Sequence, residues 1–486
     1  MSRLRYISVS SLPPEVIEYI LIYVVLDLDV PFSDRAWTAV KLSHICRSFR
    51  YAALGCPKLW TWLDRQNGRP GLALIEACIE RSRSLPLEVV LYFYAYRKSI
   101  GWGKTVDMFA VDSIARLLIP VSNRWQRFSA NLAFRQYSEQ HVLSSSEFTS
   151  SSRYLKAPIL EKISIQELSN AWTRPPLIDM SSSLPPDWSW NLPALQSLLV
   201  QNICLTAIPL KFRNRLQTMK IYFAEGRKDK LLDSLSSFLE STTLPDMEFY
   251  FYLCHFEQDY AHKRICRLSH LKQLRVTFSN CSRKESPYCG LRSAFNFYQF
   301  SGLVKLSIEI YIGHPGYFPR SITHDMSLAG FLALGIHSSS QSPRFRFPCL
   351  ETLDLYVSTG NISNSDAPAL SFPHSLIPPS LKHLSIESYS ISISYDVQGS
   401  TEDIFPPPPN LSSAPVSYAL QTLTLDIPRL GRIASWVKVL AMKMREQHCW
   451  DDFTGLTLRG APGRDDEQAV HRDDLDRWCE ENIGDL

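Results

Sequence analysis

The sequence predicts an α/β protein in which a small N-terminal helical unit precedes an irregular solenoid built around a curved parallel sheet. Three observations lead there. The first sixty residues carry helical periodicity. From about residue 85 the texture changes to short β-like runs, separated by helical patterns or by serine-rich and proline-rich loops. Ten of those runs fit one template, an apolar residue followed by two more at the third and fifth positions after it.

The first helix is read from LPPEVIEYILIYV. Val16, Ile17, Ile20, Leu21 and Val24 form one stripe, two prolines occupy the first turn where their missing N–H groups are harmless, and Glu15 stands near the positive end of the helix dipole. The stretch LDVPFS, between Asp27 and Asp34, interrupts the pattern. Periodicity resumes at Trp37 and Val40. Leu42, Ile45, Cys46, Phe49 and Ala53 carry it on as a second helix, which Gly55 and Pro57 stop. On that helix Cys46 faces the core as a buried thiol and His44 faces solvent.

The template recurs as LEKISI from Leu160, LQSLLV from Leu195, LQTMKI from Leu216, LPDMEF from Leu244 and LKQLRV from Leu271. It continues as LVKLSI from Leu303, LETLDL from Leu350, LKHLSI from Leu381, LQTLTL from Leu420 and, more weakly, FTGLTL from Phe453. The last two apolar residues are two apart, so they share the inner face of a short strand, while the first points inward from the preceding turn. One such unit cannot bury its own face. Parallel stacking, with each strand returned by a crossover, joins the faces into a continuous core, which is the logic of a leucine-rich solenoid. KDKLLDSLSSFLE, residues 228–240, and DSIARLLI, residues 112–119, read as crossover helices.

Spacing between units is uneven, from 21 residues (Leu195 to Leu216) to 47 (Leu303 to Leu350), against about 20 to 29 in regular leucine-rich repeats. The asparagine that often follows the strand is mostly missing, although Asn202 and Asn280 stand near the right place. A bent, loop-decorated array is therefore expected; the alternative is a conventional α/β sheet of alternating strands and helices. LPLEVVLYF from Leu85 and RWQRFSANL from Arg124 read as earlier strands at the capping end. Serine-rich and proline-rich segments at 144–152, 337–342 and 399–417 read as loops. The acidic end, with Val470, Leu475 and Trp478 at rough helical spacing, reads as a capping helix or tail.

Composition excludes several functions and chemistry-bearing motifs are absent. Lys and Arg total 51 against 48 Asp and Glu, a formal charge of +3 that gives no global pull toward nucleic acid or anionic membrane. Eleven scattered cysteines, with no secretory signal at the start, suggest reduced thiols and a cytoplasmic or nuclear location. No C-x-x-C occurs, and His44 and Cys46, read on one helix, stand roughly 200° apart around its axis, too far to share a metal ion. IGWGKT, residues 100–105, ends like a phosphate loop but has Lys98 where the first glycine must be. No enzyme, cofactor or metal is expected. The sheet's outward positions, Lys220, Glu248, Arg275, Asp354 and Thr424, are candidates for a recognition surface of mixed charge.

Leu12-Pro13-Pro14-Glu15-Val16-Ile17 with Ile20, then Leu42-Ser43-His44-Ile45-Cys46-Arg47-Ser48-Phe49, then Pro57-Lys58-Leu59-Trp60, resembles the F-box. That family's pattern is L-P-x-E opening a hydrophobic helix, a later hydrophobic-Cys/Ser-basic-x-aromatic helix, and a closing P-x-L-W. The resemblance covers residues 11–63. Residues 26–38 are longer than the usual turn, and Phe49 stands where tryptophan is common. An F-box before a leucine-rich array is itself a familiar architecture. It implies domains at 11–63 (F-box-like), 64–463 (leucine-rich-repeat-like) and 464–486 (acidic cap or tail). It also implies a substrate receptor for ubiquitin-dependent protein degradation: the F-box docks on a Skp-type adaptor of a cullin-RING ubiquitin ligase, and the repeats bind a protein substrate. Leu12, Pro13, Glu15, Ile17, Ile20, Leu42, Ile45, Phe49 and Trp60 match the motif positions and are the expected adaptor-binding residues. The alternatives are a repeat scaffold unrelated to ubiquitination, and a helical unit that merely caps the array.

Overall fold

The computed structural model describes residues 12–27, 34–65, 72–94, 108–133, 155–167, 190–201, 215–227, 238–255, 266–279, 298–311, 326–327, 347–358, 369–371, 377–388, 392–394, 419–427, 430–459 and 467–483. The phosphate-loop-like fragment, the three loop segments, both asparagines and most of the helix read at 228–240 lie outside them. The protein is mixed α/β with mostly parallel sheet. It divides into two compact units, Met1–Gln217 and Thr218–Leu486.

In the first unit, α1 (Pro14–Leu26) starts as its prolines predict, with Pro13 at the N-cap and Pro14 in the first turn. The expected second helix is in fact two, α2 (Arg35–Ser43) and α3 (Arg47–Gly55). Ser43 Oγ donates back to the Val40 carbonyl at 2.7 Å, and the His44 and Ile45 N–H groups bond three residues back to Lys41 and Leu42. That tightening ends α2. Cys46 is fully extended (φ −155°, ψ 174°) and its carbonyl accepts from Arg50 N–H to open α3. Neither glycine nor proline marks the break, so apolar spacing reads straight through it. Cys46 is accordingly exposed, not a core thiol.

A 3-10 turn at Pro57–Trp60 leads directly into β1 (Trp62–Arg65), a strand that spans residue 63 and that the template does not announce. After α4 (Leu72–Arg81) comes β2 (Leu87–Tyr94), and after α5 (Met108–Leu118) comes β3 (Trp125–Ala133). α5 contains most of the predicted crossover helix. β4 (Lys162–Glu167) and β5 (Ser197–Gln201) follow, and β1 to β5 pair in chain order, all parallel.

The second unit repeats the plan. β6 (Thr218–Arg227), β7 (Asp246–His255), β9 (Gln273–Ser279), β11 (Lys305–Tyr311), β13 (Thr352–Ser358), β15 (His383–Ser388), β17 (Thr422–Asp426) and β18 (Gly455–Arg459) are neighbours in that order, all parallel. The intervening β8 (Cys266–Arg267) pairs with β10 (Tyr298–Gln299), and β12 (Met326–Ser327), β14 (Ala369–Ser371) and β16 (Ser392–Ser394) form a small parallel sheet. After α6 (Leu430–Glu446) and β18, β19 (Glu467–His471) pairs antiparallel and α7 (Leu475–Ile483) packs on α6. Val470 thus lies in a strand, while Leu475 and Trp478 do belong to a helix and are buried. Arg445 donates both terminal nitrogens to the Asp476 carboxylate, at 3.0 and 2.8 Å.

All residues at the three template positions of all ten runs are buried, none more than 6% exposed. Within each unit the second and third positions also fall opposite their counterparts in the neighbouring strand, for example Leu306↔Leu353 and Ile308↔Leu355, then Leu384↔Leu423 and Ile386↔Leu425. A shift of one residue would turn every one of them outward, which is why the pattern fixes the register. Each fully buried aliphatic side chain contributes about 1.5 to 3 kcal/mol.

The repeat is longer than the template. The N–H of the first template residue closes a turn onto the carbonyl three residues back: Leu160 to Ala157, Leu195 to Leu192, Leu303 to Phe300, Leu350 to Phe347 and Leu381 to Pro378. Ala157, Leu192, Phe300 and Phe347 are themselves fully buried. Phe300 and Phe347, from successive turns, stack at 5.4 Å. Proline at 158, 193 and 348 suits the second position of such turns. A fourth inward position adds Phe223, Phe251 and Phe278, stacked at 4.8 and 5.0 Å.

Candidate functional site

Two surfaces stand out, one in each unit. In the first, α1 carries apolar residues on more than one face, with Glu15 and Glu18 its only charged residues. Ile17, Leu21 and Val25, at i, i+4 and i+8, are buried against α2 and α3. On other faces Val16, Tyr19, Tyr23 and Leu26 are exposed, Tyr19 by 71% and Tyr23 by 68%. Surface helices normally turn a polar face to water, so a helix with two apolar faces has a second one to cover. Among the described residues eleven large apolar side chains are exposed, and eight of them (the four above with Trp37, Ile45, Tyr51 and Leu54) fall in the α1–α3 region.

The expected adaptor-binding residues sort by burial. Ile17 and Trp60 lie inside the helical unit, 2% and 0% exposed. Trp60 Nε1 donates to the Ala53 carbonyl at 2.8 Å, and the Arg81 guanidinium lies over its ring at 4.6 Å. The closing tryptophan therefore ties the 3-10 turn to α3 and α4. Pro13, Glu15 and Ile45 are exposed, while Leu12, Ile20, Leu42 and Phe49 are half-buried. Ile45 is accessible because the α2–α3 break lifts it off both helices. Tyr19, Tyr23 and Tyr51 were missed by sequence reasoning, which followed a single stripe. The signal was present: Val16, Tyr19, Tyr23 and Leu26 at i, i+3, i+7 and i+10 form a second one.

In the second unit the expected recognition residues share one register row. Lys220 is opposite Glu248, Glu248 opposite Arg275, Arg275 opposite Ser307, Ser307 opposite Asp354, and the row runs through Ser385 to Thr424. Its charges pair with one another or with their neighbours: Lys220 with Glu248, Lys305 with Asp354 at 3.1 Å, and Arg275 with Glu309 at 3.8 Å. Such exposed pairs contribute about 0 to 1 kcal/mol each. Their consequence is electrostatic, since they neutralise this row.

The next outward row is different. Tyr222, Tyr250, Glu309, Tyr356, Glu387 and Asp426 lie along it. Tyr222 and Tyr250 rings are 5.0 Å apart, and Tyr311, one row further, is 5.3 Å from Tyr356. Glu309 accepts from Thr277 at 3.2 Å and from the Tyr311 hydroxyl at 3.4 Å. Partial burial and the Glu309 charge push the Tyr311 hydroxyl up to about 12. Burial, then the neighbouring Glu387, pushes the Asp426 carboxyl above its ordinary value; burial and Glu248 do the same to Asp246.

Among the described residues no cluster of His, Cys, Asp and Glu could hold a metal ion, and no helix is long and apolar enough to cross a membrane. Burial pushes the Cys78 thiol up to about 12 and the Cys479 thiol to about 11. Comparison with protein-family models and with curated protein sequences finds no match.

Proposed function

We propose that the chain is the substrate-recognition subunit of a Skp–cullin–F-box type ubiquitin ligase, its N-terminal helices docking on a Skp-type adaptor and its repeated strands presenting a face to a protein substrate. The observation that carries this reading is the second apolar face of α1, with Tyr19 and Tyr23 exposed beside α2 and α3. Tyrosines are favoured where one end of a side chain must be covered and the other stay wet, as at protein interfaces. The Leu12–Ile17, Leu42–Phe49 and Pro57–Trp60 segments supply the resemblance, and Trp60 has the internal role that a closing tryptophan needs. Catalysis in this reading is proximity: the receptor holds a substrate lysine near the ubiquitin-charged enzyme and contributes no reactive group of its own.

Co-purification of the full chain with a Skp-type adaptor tests it. The native chain is expected to retain the adaptor, and Tyr23→Asp with Ile45→Asp to lose it while melting as a folded protein, because a charge buried in a docking face is left unpaired. Failure of the native chain to bind overturns the ligase reading and leaves the unrelated repeat scaffold.

A further inference from the structure

The helical unit is one-sided in charge. Over the whole chain 51 Lys and Arg nearly balance 48 Asp and Glu, yet residues 35–63 contain Arg35, Lys41, Arg47, Arg50 and Lys58 and no Asp or Glu at all. α2 and α3 turn these cations outward among their exposed apolar groups. On α3, Arg47, Arg50, Tyr51 and Leu54 follow i, i+3, i+4 and i+7 and all are exposed, while Ala52 and Ala53 are buried. On α2, Trp37 and Lys41 are exposed one turn apart, and Ile45, 61% exposed, follows in the break.

Among the described residues no carboxylate pairs with Lys41, Arg47 or Arg50. Arg35 and the acids that bracket the stretch, Asp34 and Asp64, have interactions of their own. Lys58 shares its surroundings with Glu18, whose charge acts on the Cys56 thiol in the opposite sense. Helix stability does not account for the arginines either. They open α3, where the dipole opposes positive charge and no acid offsets them.

We propose that the surface covering this face is that of an acidic protein, its carboxylates meeting Lys41, Arg47 and Arg50 while Ile45, Tyr51 and Leu54 enter an apolar centre. Charge complementarity of this kind speeds encounter and fixes register, and the apolar groups supply the burial. An interfacial helix on an anionic membrane segregates its cations from its apolar face. Here the two kinds interleave along one stripe of α3, which favours a protein. The inference rests on reading α1–α3 as the adaptor-docking unit, and it names the chemistry of the adaptor's surface.

The test follows association of the full chain with a purified Skp-type adaptor by stopped-flow fluorescence. The association rate is expected to fall about tenfold between about 50 and about 500 mM NaCl, and about tenfold at low salt in Arg47→Glu/Arg50→Glu. Glutamate in the first turn of α3 is favoured by the dipole, so this variant remains folded. The control Lys156→Glu/Lys162→Glu makes the same change in charge at exposed positions of the repeats and is expected to bind like the native chain. No binding by the native chain at any salt overturns the adaptor reading and this inference with it. Binding that ignores salt, native rates in Arg47→Glu/Arg50→Glu, or equal loss in the control overturns the inference alone and leaves the adaptor reading standing. Sedimentation with vesicles of phosphatidylcholine and phosphatidylserine is expected to leave the native chain in solution. Retention that Arg47→Glu/Arg50→Glu abolishes would assign the face to an anionic membrane and overturn the acidic protein.

Discussion

Ile17 and Tyr19 stand two residues apart on one helix, and one is 2% exposed while the other is 71% exposed. The separation of roughly 200° around the axis puts a core residue and a surface residue of similar apolar character side by side in sequence. Truncation separates their roles. Ile17→Ala is expected to cost about 2 to 5 kcal/mol in urea unfolding through the cavity it leaves. Tyr19→Ala is expected to stay within about 0.5 kcal/mol of native stability and to weaken adaptor retention. A large stability loss for Tyr19→Ala would mean that its ring is covered in the free chain.

The break between α2 and α3 leaves Cys46 accessible to a thiol reagent. It is exposed, whereas Cys56 and Cys78 are buried and burial raises both thiols, lowering their thiolate fractions. Brief iodoacetamide treatment of the native chain, followed by peptide mass spectrometry, is expected to alkylate Cys46 and to spare Cys56 and Cys78 until denaturant is added. Protection of Cys46 equal to that of Cys78 would restore one continuous helix.

Gly302 and Gly55 form a contrasting pair. A Cβ at Gly302 would lie 1.9 Å from the carbonyl oxygen of Ser269, a backbone atom of the preceding repeat's turn, whereas a Cβ at Gly55 meets nothing within 4 Å. Gly302→Ala is expected to lose about 1 to 3 kcal/mol by overpacking. Gly55→Ala, at the end of α3, is expected to gain about 0.4 to 1 kcal/mol by restricting the unfolded chain. Denaturant midpoints of the two variants check both signs, and equal effects would argue against close turn-to-turn stacking.

Asp426 gives a pH dependence with a defined sign. Its folded-state carboxyl is raised by burial first and by Glu387 second, so folding favours the protonated form. The stability this confers is fully present below the unfolded value of about 3.9 and is lost as pH rises through the folded one. At pH 7 the charge is a liability. Asp426→Asn is therefore expected to be more stable than the native chain at pH 7, with the advantage shrinking as the pH is brought below about 4. An advantage that grows on acidification contradicts the sign.

By itself the sequence determined the inward face and register of the repeated strands. Side chains alternate with a strict period of two, so Leu306, Leu353, Leu384 and Leu423 can align only one way if all are buried, and they do. The turn preceding several of the strands left a trace in Ala157-Pro158, Leu192-Pro193 and Phe347-Pro348, but its first residue varies from site to site and only the hydrogen bonds showed it. Helices were less determined. A period of 3.6 leaves more than one stripe available on a helix as apolar as α1, and the same spacing runs across the gap at residues 44–46 as though it were helix. Only tertiary packing chose which stripe of α1 went inside, drew Ile17 and Trp60 into the core, and left Tyr19, Tyr23 and Ile45 in solvent. Burial depends on which neighbours arrive from elsewhere in the chain, and local spacing does not encode that.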